Sequence, residues 1–180
     1  MEGRQPPDTA GGSGETPTER FRDAAVRFTK ERRADLDALA VALIFTLNRV
    51  ASAHQHESER LVHRPRGWTY SGFRVLYMVW LFEPVEARDL ARYSGVTRQT
   101  TSTVLRTLEA AGLVARRRTS PQDRRLVEVR LTDRGRVQIE AAFGEQNALE
   151  REWFGVLTPV EQGQLLALLD RVLLRISPEG

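Results

Sequence analysis

Between Thr97 and Ala110 the segment TRQTTSTVLRTLEA gathers hydrogen-bonding side chains at helical spacing. Thr101, Val104, Leu105 and Leu108 share one face of such a helix, which leaves Arg98, Gln99, Ser102 and Thr103 mainly outside. Arginine offers a planar fork matched to the O6 and N7 edge of guanine, and glutamine pairs in the same two-point way with adenine. A face that was only solvated would normally carry more Glu and Lys. A second cluster follows at once. Residues 113 to 130 hold Arg116, Arg117, Arg118, Arg124, Arg125 and Arg130 against Asp123 and Glu128, a local charge of +4. Cations at that density repel one another unless a polyanion is near, so the pair of clusters points to phosphate and base-edge contacts on duplex DNA and to a salt-sensitive affinity.

The elements needed to position these groups are legible. Ala87 to Tyr93 reads as a short helix with Leu90 and Ala91 inward, Ser94-Gly95 as a turn, and Thr97 as the N-cap of a helix ending at Gly112. Beyond it the period drops to two. Val127, Val129 and Leu131 alternate with Glu128 and Arg130 after a Ser120-Pro121-Gln122-Asp123 turn, and pairing with Leu113 to Arg118 gives a β-hairpin. Upstream, Phe73, Leu76, Tyr77 and Trp80 form one face of a helix that Glu83-Pro84 ends. Thr132-Asp133 caps a further helix running to about Phe154.

Longer amphipathic helices lie at the two ends. Thr16-Pro17-Thr18-Glu19 is a capping-box start, followed by Phe21, Ala24, Ala25 and Phe28 at i, i+3, i+4, i+7. Leu36, Leu39, Ala40, Leu43, Leu47, Val50 and Ala51 keep helical spacing with neither Gly nor Pro before Pro65. Leu165, Leu168, Leu169, Val172 and Ile176 repeat the pattern behind Thr158-Pro159-Val160-Glu161. Together these stripes exceed what the middle of the chain can cover, so a homodimer with two-fold symmetry is expected. The organisation expected is a disordered Gly/Pro-rich arm over residues 1–15, N-terminal dimerisation helices over 16–65, a DNA-binding lobe over 66–135, and C-terminal dimerisation helices over 136–180.

Composition narrows the function classes. A chain of 180 residues, 41% hydrophobic, has room for one core. The net charge is +3 and almost every cation is arginine. Without cysteine there are no disulfides, thiolate zinc sites or thiol switches. No cofactor is expected. A Gly-rich phosphate loop, a nucleophile elbow, an HExxH pair and a dense carboxylate cluster are all missing, which argues against an enzyme. No signal-like N-terminus and no run of 18 apolar residues occurs, so a cytoplasmic protein is expected.

The order Leu108-Glu109, Gly112-Leu113-Val114, Asp123-Arg124-Arg125, Leu131-Thr132 and Gly135 resembles the MarR family of multiple-antibiotic-resistance regulators over about residues 35 to 177. The resemblance implies a mostly α, winged helix-turn-helix fold with a small β-hairpin wing, dimerised through its N- and C-terminal helices. It implies a transcriptional regulator, by family habit a repressor, on a pseudo-palindromic operator. The DNA-contacting set would be Thr97, Arg98, Gln99, Thr100, Ser102, Thr103, Arg106, Asp123, Arg124 and Arg125, with the Arg125 side chain in the minor groove and Asp123 orienting it. Many members carry arginine where this chain has Thr103.

Members usually respond to an aromatic or anionic small molecule, for which His54, Trp68, Tyr70, Phe73 and Arg74 are the candidates. Trp68 and Tyr70, read as loop residues after Arg66-Gly67, stand ahead of Phe73, whose helical spacing with Tyr77 and Trp80 reads as core. Arg74 and Thr103 depart from the urate-responsive branch. Two alternatives stay open: a metal-responsive regulator using His56, Glu59 and His63 at i, i+3, i+7, and a winged-helix module that binds only protein.

Overall fold

The computed structural model describes residues 16–118 and 127–175, so the expected N-terminal arm, the turn at Ser120 to Asp123 and Ile176 lie outside the described residues. The chain divides into two compact units, residues 1–56 and 57–180.

In the first unit, α1 (Pro17–Arg32) starts where the capping box demands. The Thr16 hydroxyl accepts from Glu19 N at 3.2 Å, and the Glu19 carboxylate accepts from Thr16 N at 2.7 Å. The bond from Thr16 N, with a second from the Thr16 hydroxyl at 2.8 Å, holds the Glu19 carboxyl below the usual carboxylate range. The Phe21 and Phe45 rings lie 5.7 Å apart, joining α1 to α2 (Ala38–Ser58). On α2 the expected stripe is present but exposed: Leu39, Leu43, Leu47 and Val50 all face outward, and Ile44 beside them does too.

The second unit opens with a π-helical turn (Glu59–His63) and a 3₁₀ turn (Arg64–Arg66), which follow directly in sequence on α2. Five helices and a sheet come next: α3 (Tyr70–Phe82), β1 (Val85–Glu86), α4 (Ala87–Ser94), α5 (Arg98–Ala110), β2 (Val114–Arg118), β3 (Val127–Leu131), α6 (Asp133–Phe154) and α7 (Pro159–Leu173). Val75, Leu76, Val79, Leu90, Leu105, Leu108, Val129 and Ile139 form its core. Thr158 and Glu161 make the second capping box at the start of α7, which keeps no buried residue along its length.

The expected hairpin is present, with Val114 opposite Leu131 and Arg116 opposite Val129. The sequence pattern gives no sign of a third strand. Two-residue β1 pairs antiparallel with β3, Val85 opposite Val129, giving the order β1-β3-β2. The physical reason is Val129, fully buried at the centre of the hairpin, which needs cover on its other edge.

The same region is tied down by polar contacts. Glu83, at the C-cap of α3, accepts from Leu131 N at 2.7 Å and pairs with Arg136 of α6. Thr132 N donates to Leu113 O at 3.0 Å, and the Thr132 hydroxyl donates to Gly112 O at 2.7 Å. No described helix is long and apolar enough to cross a membrane.

Candidate nucleic-acid interface

The helix α5 is set by its N-cap. Thr97 has extended backbone, and its hydroxyl accepts from Thr100 N at 3.2 Å. The preceding turn requires a positive φ at Gly95, +63°, which favours glycine, and a Cβ there would sit 2.7 Å from Nη2 of Arg74, so the guanidinium would have to move aside. With the turn fixed, Thr101, Leu105 and Leu108 are buried and Val104 half-buried. The opposite face carries Arg98, Gln99, Thr100, Ser102, Thr103 and Arg106, every one exposed.

Part of that face is engaged with itself. The Thr97 and Thr100 hydroxyls are 2.9 Å apart, and Arg106 Nη2 donates to the Thr103 hydroxyl at 3.3 Å. Thr103, which stands where the resemblance leads one to expect arginine, therefore steers a neighbouring guanidinium instead. Arg98, Gln99 and Ser102 are the outward-directed set.

The sheet adds its cations at the end of α5. Arg116 and Arg117 of β2 are exposed. Arg116 is fastened to α5 through Glu109, which accepts from its Nε at 2.8 Å and from its Nη2. These charge-assisted bonds hold the Glu109 carboxyl below the usual range. The pair couples strand to helix, and only a spacing of seven positions in sequence hints at it. On β3, Arg130 lies 3.5 Å from Glu128. Asp123, Arg124 and Arg125 lie outside the described residues, between the ends of β2 and β3.

The candidate effector residues do not all gather. Trp68 lies in a loop, as expected, but is buried in the core, and its backbone N–H donates to His63 O at 3.0 Å. Phe73 is also core, its ring stacked 4.4 Å from that of His63. Tyr70 is the first residue of α3 and not a loop residue; it is half-buried, 5.7 Å from the His63 ring. Arg74 is half-buried with its guanidinium 5.8 Å from the Tyr70 ring. Tyr70 and Arg74 thus stand together beside the turn at Gly95, whereas His54 belongs to the first unit. Of the metal alternative, His56 Nδ1 lies 2.6 Å from Ser52 O, and His63 is fully buried among aromatic rings. Among the described residues no three His, Asp or Glu side chains form a group suited to a metal.

Residues 68–127 match the sequence model of the MarR family. The chain is 32% identical over 137 residues to YwaE, an uncharacterized HTH-type transcriptional regulator of Bacillus subtilis, covering 76% of this chain and 80% of that one. The chain belongs to the MarR family. It is accordingly a transcriptional regulator, and neither the family nor these relatives are enzymes, in line with the absence of catalytic motifs. A solved MarR neighbour is the Mycobacterium tuberculosis protein Rv2887 in complex with salicylic acid: 31% identity, TM-score 0.58, 77% of this chain and 98% of that chain. The same protein solved in complex with DNA gives 30% identity, TM-score 0.58 and coverage of 72% and 96%. The MarR winged helix-turn-helix accounts for the order of α3 to α6 with its three-stranded sheet.

Proposed function

We propose that this MarR regulator is a repressor that binds a pseudo-palindromic operator as a homodimer, with α5 in the major groove and the β2–β3 hairpin in the adjacent minor groove. The observation that carries the reading is the exposed face of α5. Its donors and acceptors, Arg98, Gln99 and Ser102, stand beside a cationic strand, and its only carboxylate, Glu109, is already committed to Arg116. Support comes from Rv2887, which is named a transcriptional repressor and was solved with DNA. Dimerisation is assigned to the exposed apolar stripes of α2 and α7, and DNA binding to the lobe that separates them in sequence.

Two variants test the DNA contacts. Arg98→Ala should weaken binding to a selected operator by about 1–3 kcal/mol and flatten base preference at one position per half-site. Arg125→Ala should lower affinity while leaving the dimer and the melting curve unchanged. Fluorescence anisotropy with labelled duplex reads both, and wild-type affinity in both variants would overturn the assignment.

The effector assigned here is an aromatic carboxylate held by Tyr70 and Arg74, with the core rings of Phe73 and Trp68 behind them. Rv2887 was solved with salicylic acid and with p-aminosalicylic acid. Salicylate should therefore lower operator affinity of the wild type, and Arg74→Met should blunt that response. An effect of salicylate that is equal in the variant would remove Arg74 from the site.

A further inference from the structure

Beyond Tyr70, Arg74 opens onto a strip of side chains that a single-ring acid does not reach. Arg74, Met78 and Phe82 recur every four residues on α3 and so follow one another along one face of the helix. The end of α4 runs beside that face. At one end of the strip the Arg74 guanidinium stands against the Gly95 turn, as the 2.7 Å approach of Nη2 to a Cβ built there shows. At the other end the Phe82 ring meets that of Tyr93, with centroids 5.1 Å apart. Arg92 lies over the Tyr93 ring, its guanidinium carbon 5.5 Å from the centroid. Met78, between the two ends, is half-buried against the core.

The ring pair is unusual in its exposure. Phe82 is 50% and Tyr93 43% exposed, two touching aromatic side chains left in water on elements other than α2 and α7, to which dimerisation is assigned. Charge gives the strip a direction. At the ring end, Arg92 is accompanied by Asp89 one turn earlier on α4, and Glu83 beside Phe82 is turned to Leu131 N and Arg136. Among the described residues Arg74 has the Tyr70 ring and no carboxylate beside it. An apolar strip with its uncompensated cation at one end is complementary to an amphipathic acid.

Resting on the effector reading above, we infer that this strip is a tail subsite: the effector is an acid with a long apolar chain, its carboxylate on Arg74 and its chain laid over Met78 to the Phe82–Tyr93 pair. Eight residues of helix separate Arg74 from Phe82, about 12 Å, the length of a benzoate bearing a six-carbon chain in the para position. Methionine and the faces of aromatic rings adapt to a flexible chain that has no fixed shape of its own. Salicylate would occupy the Arg74 end and leave the rings uncovered. The chain would bridge α3 and the end of α4, next to the turn that sets α5.

The probes are 4-alkylbenzoates from methyl to hexyl, titrated by calorimetry into the full chain. Each methylene laid on a half-open strip should tighten binding about twofold, so that hexyl binds about 30-fold more tightly than methyl. The heat capacity change of binding should grow more negative along the series. Phe82→Ala combined with Tyr93→Ala should cut the gain from methyl to hexyl below about threefold and leave the affinity for salicylate unchanged. The neutral 4-hexylbenzamide should bind at least tenfold more weakly than 4-hexylbenzoate. Equal affinity across the series in wild type overturns the subsite and leaves the rings to a macromolecular partner, and a gain that survives intact in the double variant overturns it as well. A double variant that sediments lighter than wild type assigns the rings to a contact between copies, which overturns it too. The wild-type series reads the tail even if the double variant does not fold. The parent reading fails differently: Arg74→Met and wild type would then respond alike to salicylate, whatever the series shows.

Discussion

If α7 carries the proposed homodimer, Leu168→Glu combined with Val172→Glu should yield monomers and abolish high-affinity operator binding. Both residues lie one turn apart on α7 and are more than half exposed in the protomer, 57% and 56%. Leu166 and Leu173 beside them are exposed as well, and no residue of α7 is buried. A helix that starts from a full capping box and then leaves its leucines in water has an unmet partner. Each such side chain contributes about 1.5–3 kcal/mol when taken out of water, and a two-fold interface contains each position twice. Removing both should raise the dimer dissociation constant by on the order of 10⁵. The lobe core, built from α3 to α6, does not use these positions, so its melting should survive. Sedimentation equilibrium reads the mass directly. A variant that sediments as the wild-type dimer places the interface elsewhere and withdraws α7 from it.

The elements legible in the sequence are those with a local cause. Thr16 with Glu19 and Thr158 with Glu161 are capping boxes in sequence and in space, because the bonds involved span three residues. The exposed face of α5 follows from helical period once Leu105 and Leu108 are committed to the core. Long-range causes leave no such local mark. Strand β1 is two residues long, too short for any alternation to show, and exists because Val129 needs a second neighbour. Trp68 reads as a loop residue after Arg66-Gly67 and is one, but its burial against the lobe core depends on contacts distant in sequence. The Glu109–Arg116 and Glu83–Arg136 pairs join elements whose relative placement only the fold determines.

The root of the hairpin is where these long-range causes meet. Leu113 is buried between α5 and β2, its N–H donates to Leu108 O at 2.9 Å, and its carbonyl accepts from Thr132 N. Helix, strand and the start of α6 are thereby held in one backbone knot. The proposed docking of a helix and a strand in neighbouring grooves needs their separation fixed to within about an ångström, and rigid elements with locked junctions serve this better than loops.

That knot makes Gly135→Ala the substitution with the largest expected cost to the fold. Gly135 occupies the first turn of α6, its N–H donates to the Thr132 hydroxyl at 2.9 Å, and a Cβ there would lie 1.9 Å from Leu113 O and 2.8 Å from the Leu113 carbonyl carbon. The obstacle is backbone, not the end of a flexible side chain, so α6 must move away from β2 or the Leu113 carbonyl must give up its bond to Thr132. Overpacking costs of this kind run to about 3 kcal/mol or more. Alanine's helix preference over glycine returns only about 1 kcal/mol, so the clash decides the sign. A loss of that size lowers Tm by roughly 6–12 °C in a chain of this length. Gly144, on the same helix, supplies the control: a Cβ there meets nothing within 4 Å, and Gly144→Ala should raise stability by about 0.5–1 kcal/mol. Opposite shifts from one chemical change in one helix isolate the close approach at Leu113 from helix propensity. Equal melting temperatures for Gly135→Ala and wild type would mean that the hairpin root yields freely, and that its geometry does not set the spacing of α5 and β2.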